Sequence, residues 1–336
     1  MKIDIILNEF TTPQEMAELA DLADRLGVRA LWASSYASMR DPFMSLVPAA
    51  RAKGRILLGP LAISPFEMHP FKMATAVATL NEMCHGRAII AVGGGGGVLR
   101  GLKIKPHRMV RAVRECVEIL KGMAPDTKLD YDGEMYGVRD FQPRWAPTTP
   151  PVIYVCASGP QMMHMAAKHA DGLMMSDVPL PRMEEAAKNF NKAMADAGKV
   201  PGTFGINNFW AWHIKKDKDA SIREARRELV WRGVLERWWL EPFLDEADVQ
   251  LVRDKFNAFR MAFFRRTHGI EGVPDRVIDP LVENLCFSGG LDAIPGVIDK
   301  LKAFEKAGLT EIALRVHDDQ KEQIELIGAH VVPALS

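Results

Sequence analysis

Short apolar runs alternate with amphipathic stretches along this 336-residue chain, and that alternation limits the fold more than any other feature. Strands that alternate with helices at this spacing pair in parallel through right-handed crossovers. The runs predict strands at 3–7, 28–33, 55–63, 87–92, 152–156, 172–175, 203–214 and 311–316. Helices are expected between them, at 13–26, 43–53, 71–84, 107–122, 160–170, 182–197 and 291–307. The first is signalled by Thr12-Pro13-x-Glu15, a capping hydroxyl, a Pro at the first helical position and a carboxylate at the positive end of the helix dipole. Eight such strands predict an α/β fold, a (β/α)8 TIM barrel, read as a single domain over 1–336. The rival is an open doubly wound sheet, which calls for a phosphate fingerprint after its first strand. Asn8-Glu9 stands there and carries none. Residues 128–141 predict a hairpin turning at Asp132-Gly133. The rhythm breaks at about 218–285, a mostly helical insertion containing Trp231, Trp238, Trp239, Phe256, Phe259, Phe263 and Phe264. Those aromatics read first as the core of the insertion and second as a lid or apolar pocket wall.

One exit stands out. Ala88-Ile89-Ile90-Ala91-Val92 suits a strand buried on both faces, and Gly93, Gly94, Gly95, Gly96 and Gly97 follow at once. Without Cβ atoms, a backbone approaches a flat or anionic ligand closely. The alternative is a flexible linker, which the preceding strand argues against. The run lacks the spacers of G-x-G-x-x-G, and no helix is expected to open on its last glycine.

Lys+Arg and Asp+Glu both number 43, which argues against a nucleic-acid binder held by a general basic field. The four cysteines lie far apart, with no CxxC, and read as reduced thiols of a cytoplasmic protein. No run is long enough to span a bilayer, and Lys2 and Asp4 around the first apolar run argue against a signal peptide. Without HExxH or a cluster at ligand spacing, no metal is expected; Glu67 with His69 is the one pair that keeps the question open.

In a barrel, chemistry gathers where the strands end. The exits are Asn8-Glu9, Ser34-Ser35-Tyr36, Ile63-Ser64-Pro65, the glycines, Ala157-Ser158-Gly159-Pro160, Ser176-Asp177, Trp212-His213 and Val316-His317. Glu9 is the carboxylate best placed for acid–base work, with Tyr36 and His69 as further polar groups; each alone is more often structural. Ser158-Gly159-Pro160 precedes a helix and offers free N–H groups to an anion, though for the tripeptide alone an ordinary cap followed by Pro is the better reading. A basic run, Arg100, Lys103, Lys105, His107, Arg108, Arg111 and Arg114, follows the glycines. It reads either as a solvated helix face or as an anion-attracting patch.

Taken together these pieces resemble the bacterial luciferase-like superfamily, most of all the branch typified by methylenetetrahydromethanopterin reductase. The resemblance rests on the segment from Leu58 to Pro65, on Ala78-Thr79-Leu80-Asn81-Glu82-Met83 with Gly86-Arg87 and the glycine-ended strand, on the segment from Ile153 to Pro160 with Ala170-Asp171-Gly172, and on Gly308-Leu309-Thr310-Glu311. It implies a barrel, usually a homo-oligomer, that holds coenzyme F420 (8-hydroxy-5-deazaflavin) or FMN at its top and acts on a small-molecule substrate. It implies a non-prolyl cis peptide at Leu61–Ala62 against the ring. It places Ser35, Leu61, Ala62 and Ser64 near the cofactor, and the phosphate near Gly93–Gly97, Ala157, Ser158, Gly159, Pro160 and Ser176. There are departures. Ser35-Tyr36 stands where many deazaflavin members have Asp-His, and a glycine, about Gly96, stands where some carry a proton-donating Glu. The implied activity is hydride transfer between a reduced deazaflavin and an organic substrate. The rivals are an FMN-dependent monooxygenase and a barrel that binds the cofactor without turnover.

Overall fold

The computed structural model describes residues 1–36, 39–200 and 202–335, leaving out the surroundings of residues 97, 98 and 100. Its strands are β1 (Lys2–Leu7), β2 (Ala30–Ser34), β3 (Leu57–Leu61), β4 (Ile89–Val92), β5 (Leu129–Asp132), β6 (Gly137–Phe141), β7 (Val152–Cys156), β8 (Gly172–Ser176), β9 (Gly205–Trp212), β10 (Cys286–Phe287) and β11 (Glu311–Arg315). Eight of them form a parallel sheet in the order β3-β2-β1-β11-β9-β8-β7-β4. Its ends meet at two further parallel bridges, Leu58 to Ala88 and Ile63 to Val92. The barrel is therefore nearly closed. Closure depends on Gly59, whose Cβ would lie 1.6 Å from the Ile89 carbonyl oxygen.

The expected strands are all present, each end within two residues of where it was expected. β5 and β6 form the expected antiparallel hairpin. The first helix, Pro13–Arg25, starts at the expected capping hydroxyl of Thr12, and Glu15 completes a capping box with it. Its buried stripe, Met16, Leu19, Ala20 and Ala23, packs on the outside of the sheet with the other crossover helices. The insertion is helical, as expected, and has its own core around Leu229, Val249, Phe259 and Leu281. Its strand β10 pairs with β9 and so ties the insertion to the barrel.

Inside the barrel, side chains alternate along each strand, so one face of every strand fills the interior. Trp32 and Tyr154 meet there edge to face at 5.9 Å. Near the amino ends, a buried polar group closes the barrel floor. Arg29 Nη2 lies 2.8 Å from Glu311 Oε2, the Tyr154 hydroxyl donates to Glu311 Oε2 at 2.6 Å, and Trp32 Nε1 donates to Asp4 Oδ2 at 3.0 Å. Buried charges persist only when paired in this way. Gly172 and Gly205 start their strands where Tyr154 lies: a Cβ would come within 2.2 Å of the ring at Gly172 and 2.0 Å of the hydroxyl at Gly205.

Candidate active site

The carboxyl rim divides into two arcs. The exits of β3, β4, β7 and β8 are neighbours, and they carry small residues. The Leu61–Ala62 peptide is cis, where the resemblance places it. Gly93 N donates to the Ile63 carbonyl at 3.0 Å. A Cβ on Gly93 would lie 3.3 Å from Ala62 Cβ and 3.4 Å from Cys156 Cβ, so three loops converge there. Ser64 is buried: its N–H donates to Glu67 at 2.8 Å and its hydroxyl accepts from Phe66 N at 3.2 Å. Burial pushes the Glu67 carboxyl up from its ordinary value.

One expectation needs correction. A six-residue helix, Gly96–Gly101, opens inside the glycine run. Gly95 and Gly96 take φ of +97° and +35°, a turn that glycine accommodates without steric cost and that redirects the chain at once. The buried Leu99 then anchors the helix. On the next loop, helix Pro160–His169 starts at Gly159 with no side-chain cap. Among the described residues, and apart from chain neighbours and the helix's own backbone, no atom lies within 4 Å of where a Cβ on Gly96 or Gly159 would sit. Ala157 N donates to the Met174 carbonyl at 3.0 Å, which holds Ser158 beside β8. At the end of β8 the Ser176 hydroxyl donates to Asp177 at 2.7 Å. Open space, a close-approach backbone and an uncapped helix start suit a flat ring with an anionic tail.

The exits of β9, β11, β1 and β2 form the other arc, and it is charged. Arg315, buried, forms an ion pair with Glu9 and donates to Ser34 Oγ at 2.5 Å. Its guanidinium also lies 5.8 Å from the centre of the Tyr36 ring. Tyr36 in turn meets Trp231 of the insertion at 6.4 Å, and Trp231 meets Phe263 at 5.1 Å. Glu9 and Tyr36 are thus brought together through Arg315; Ser35 N donates to the Leu61 carbonyl at 2.9 Å and links the two arcs. His69 is elsewhere. It is exposed, its Nδ1 accepts from Phe71 N at 3.2 Å as the cap of helix Pro70–Met83, and its ring packs on Tyr136.

Sequence reasoning gave no role to Arg315, His213 or His317. His213 and His317 are buried and stacked, with ring centres 4.6 Å apart. Burial, followed by His213 and Arg315, holds the His317 imidazole well below its ordinary value. The usable signal was the period of two: Glu311, Ala313 and Arg315 share one face of β11, and His317 continues it. The basic run lies on the surface beside the glycine loop. Arg108 pairs with Glu134 at 2.6 Å and Arg111 pairs with the same carboxylate, while Lys103 and Lys105 have no ion pair among the described residues. Arg100 lies outside the residues whose surroundings are described. Phe66, His107, Arg108, Glu134, Met135 and Tyr136 line a cleft of about 400 Å³ there.

Fold and rim together define an α/β-barrel protein with a small-residue arc facing a charged one. The sequence profile of the luciferase-like monooxygenases matches residues 4–311, and the chain belongs to that family. It is 28% identical over 330 residues to the 5,10-methylenetetrahydromethanopterin reductase of Archaeoglobus fulgidus, with 96% of each chain covered. Among solved structures, the coenzyme F420-dependent tetrahydromethanopterin reductase of Methanopyrus kandleri superposes with a TM-score of 0.79 at 20% identity, covering 100% of both chains. An F420-dependent secondary alcohol dehydrogenase, solved with an F420–acetone adduct, superposes at 0.76 and 17% identity, over 100% of this chain and 99% of the other. The family and branch expected from the sequence are the ones found.

Proposed function

We propose that this chain is an oxidoreductase that uses a deazaflavin coenzyme of the F420 type to transfer a hydride to or from a small organic substrate. The uncapped helix start at Gly159, set beside the Gly93–Ala62–Cys156 junction, carries this reading. It offers an anion its N–H groups next to a surface flat enough for a ring. When bound, the reduced coenzyme supplies the hydride. The small-residue arc holds and orients it, and Tyr36, Trp231 and Phe263 form an aromatic edge on the opposite side. Arg315, fixed by Glu9 and Ser34, places a positive charge where a substrate heteroatom gains electron density.

A second reading, an FMN-dependent monooxygenase, is favoured by one observation. Glu134 offsets Arg108 and Arg111, so the basic run offers less to a long anionic tail than its sequence suggests. We also propose that barrel and insertion form one domain, that the protein is a cytoplasmic homo-oligomer, and that its partner is the small-molecule substrate. Insertion residues at the rim and the family resemblance support this; no helix among the described residues is long and apolar enough to cross a membrane.

Fluorescence titration with each cofactor, at low and high salt, tests the assignment. Deazaflavin is expected to bind more tightly than FMN and to weaken more steeply with salt, because Lys103 and Lys105 are exposed and their attraction is screened. Changing both lysines to Ala should narrow the gap, and Glu134→Gln should widen it. Tighter binding of FMN overturns the deazaflavin assignment and supports the monooxygenase.

A further inference from the structure

A row of aromatic rings runs from the charged arc out to the surface. Tyr36, beside the buried Arg315, meets Trp231 with ring centres 6.4 Å apart. Trp231 meets Phe263 at 5.1 Å, and Phe263 meets Phe264 at 5.6 Å, each pair edge to face. The row is not core: Trp231 is 39% exposed and Phe264 65%. Val234, three residues past Trp231, is 58% exposed and held at φ +49°, a backbone costly for a β-branched residue. Packing of its own side chain does little to offset that cost. The turn is fixed instead by Asp177, which accepts from Gly233 N at 3.0 Å, and by the Leu235 N–H, which donates to the Arg232 carbonyl at 2.7 Å. Large apolar side chains shown together beside charged groups indicate a contact surface.

The charges of the same arc cancel in pairs. Arg315 pairs with Glu9, Arg232 with Asp177, Arg227 with Glu228 and Asp318, and Lys215 with Glu224. None of these four cations is left over for a ligand. An anion drawn in beside them would give up its water and meet no uncompensated charge.

We propose that the small molecule this barrel acts on is uncharged, with an alkyl or aryl body and one polar end. The body lies along Trp231, Phe263 and Phe264, and the polar end points to Tyr36. Trp231 and Phe264 are then specificity-determining residues: they reward apolar length, while the paired charges of the arc reject an anion. That the occupant is a substrate rests on the hydride reading above; that an apolar, uncharged ligand binds along the row does not.

The test reads binding, with and without saturating coenzyme F420, so its failure is separate from failure of the hydride reading. The full-length protein is labelled with fluorotryptophan, and the Trp231 signal, assigned with Trp231→Phe, is followed by fluorine NMR. Methyl hexyl ketone should shift that signal and bind about tenfold more tightly than methyl butyl ketone, which is two methylenes shorter. Octanoate, as long but charged, should bind roughly tenfold more weakly than methyl hexyl ketone. Phe264 is exposed, so Phe264→Ser should fold as the parent does and weaken methyl hexyl ketone about fivefold. Octanoate binding as tightly as the ketone, no Trp231 shift with the ketone in either form, or unchanged affinity in Phe264→Ser overturns the proposal. A Trp231 signal that changes with protein concentration alone puts a second copy of the chain on the row and overturns it as well.

Discussion

Asp177 and Arg232 meet at 2.7 Å with both side chains buried, and this contact joins the end of β8 to the insertion. The second Asp177 oxygen accepts from Gly233 N at 3.0 Å and from the Ser176 hydroxyl at 2.7 Å. The Arg232 guanidinium also lies over Phe209, 5.4 Å from the ring centre. The pair therefore sets where Trp231 stands over the rim.

Removing one partner of such a pair strands the other charge in a dry site. Arg232→Met is expected to destabilise the protein by about 3–5 kcal/mol, and adding Asp177→Asn should recover part of that loss. Urea unfolding of the single and double variants measures both. A loss under about 1 kcal/mol would place the pair with exposed ion pairs, which contribute little.

The two halves of the small-residue arc should respond differently to added bulk. Gly159 has an ordinary φ of −96° and free space around it, so Gly159→Val should leave stability within about 0.5 kcal/mol of the parent. Deazaflavin affinity should nonetheless fall, since the new side chain enters the anion's space. Gly95→Val should cost both affinity and stability: φ is +97°, and a Cβ would lie 2.5 Å from Leu99 Cγ and 2.7 Å from Ser64 Oγ. Retained affinity in both variants would make these loops ordinary connections.

The His317 shift makes stability depend on pH. Folding lowers its value below the ordinary 6.5, so between the two values the unfolded chain holds the extra proton. That contribution is present in full above 6.5 and is lost as pH falls through the window beneath it. Thermal unfolding of the parent should therefore weaken below about pH 6.5, and His317→Gln should flatten that part of the profile. Parallel profiles for the two proteins would show that His317 titrates alike in both states.

Much of the barrel was legible because its signals are local. The Thr12 cap formed where the sequence placed it, and Glu15 closes a box with it, since all these atoms lie within four residues. The small-residue arc was legible as a set of exits, and Glu9 and Tyr36 lie on the rim as expected. His69 illustrates the limit. A histidine just before Pro70 reads equally as a rim group or a helix cap, and only its position settled on the cap. Glu134 is another case: it lies 26 residues from Arg108, and nothing local reports that the hairpin folds back to pair it with Arg108 and Arg111.

By itself the sequence determined the parallel barrel and the glycine rim, because strand and helix periods and the absence of Cβ atoms act over a few bonds. Only the tertiary structure decided the charged arc. Arg315 reaches Ser34 across 281 positions, and His213 meets His317 only because β9 and β11 are neighbours in a sheet whose order is not their order in the chain. A buried charge takes its partner from whatever the closed barrel and its insertion bring near, and that proximity is a property of the whole packing.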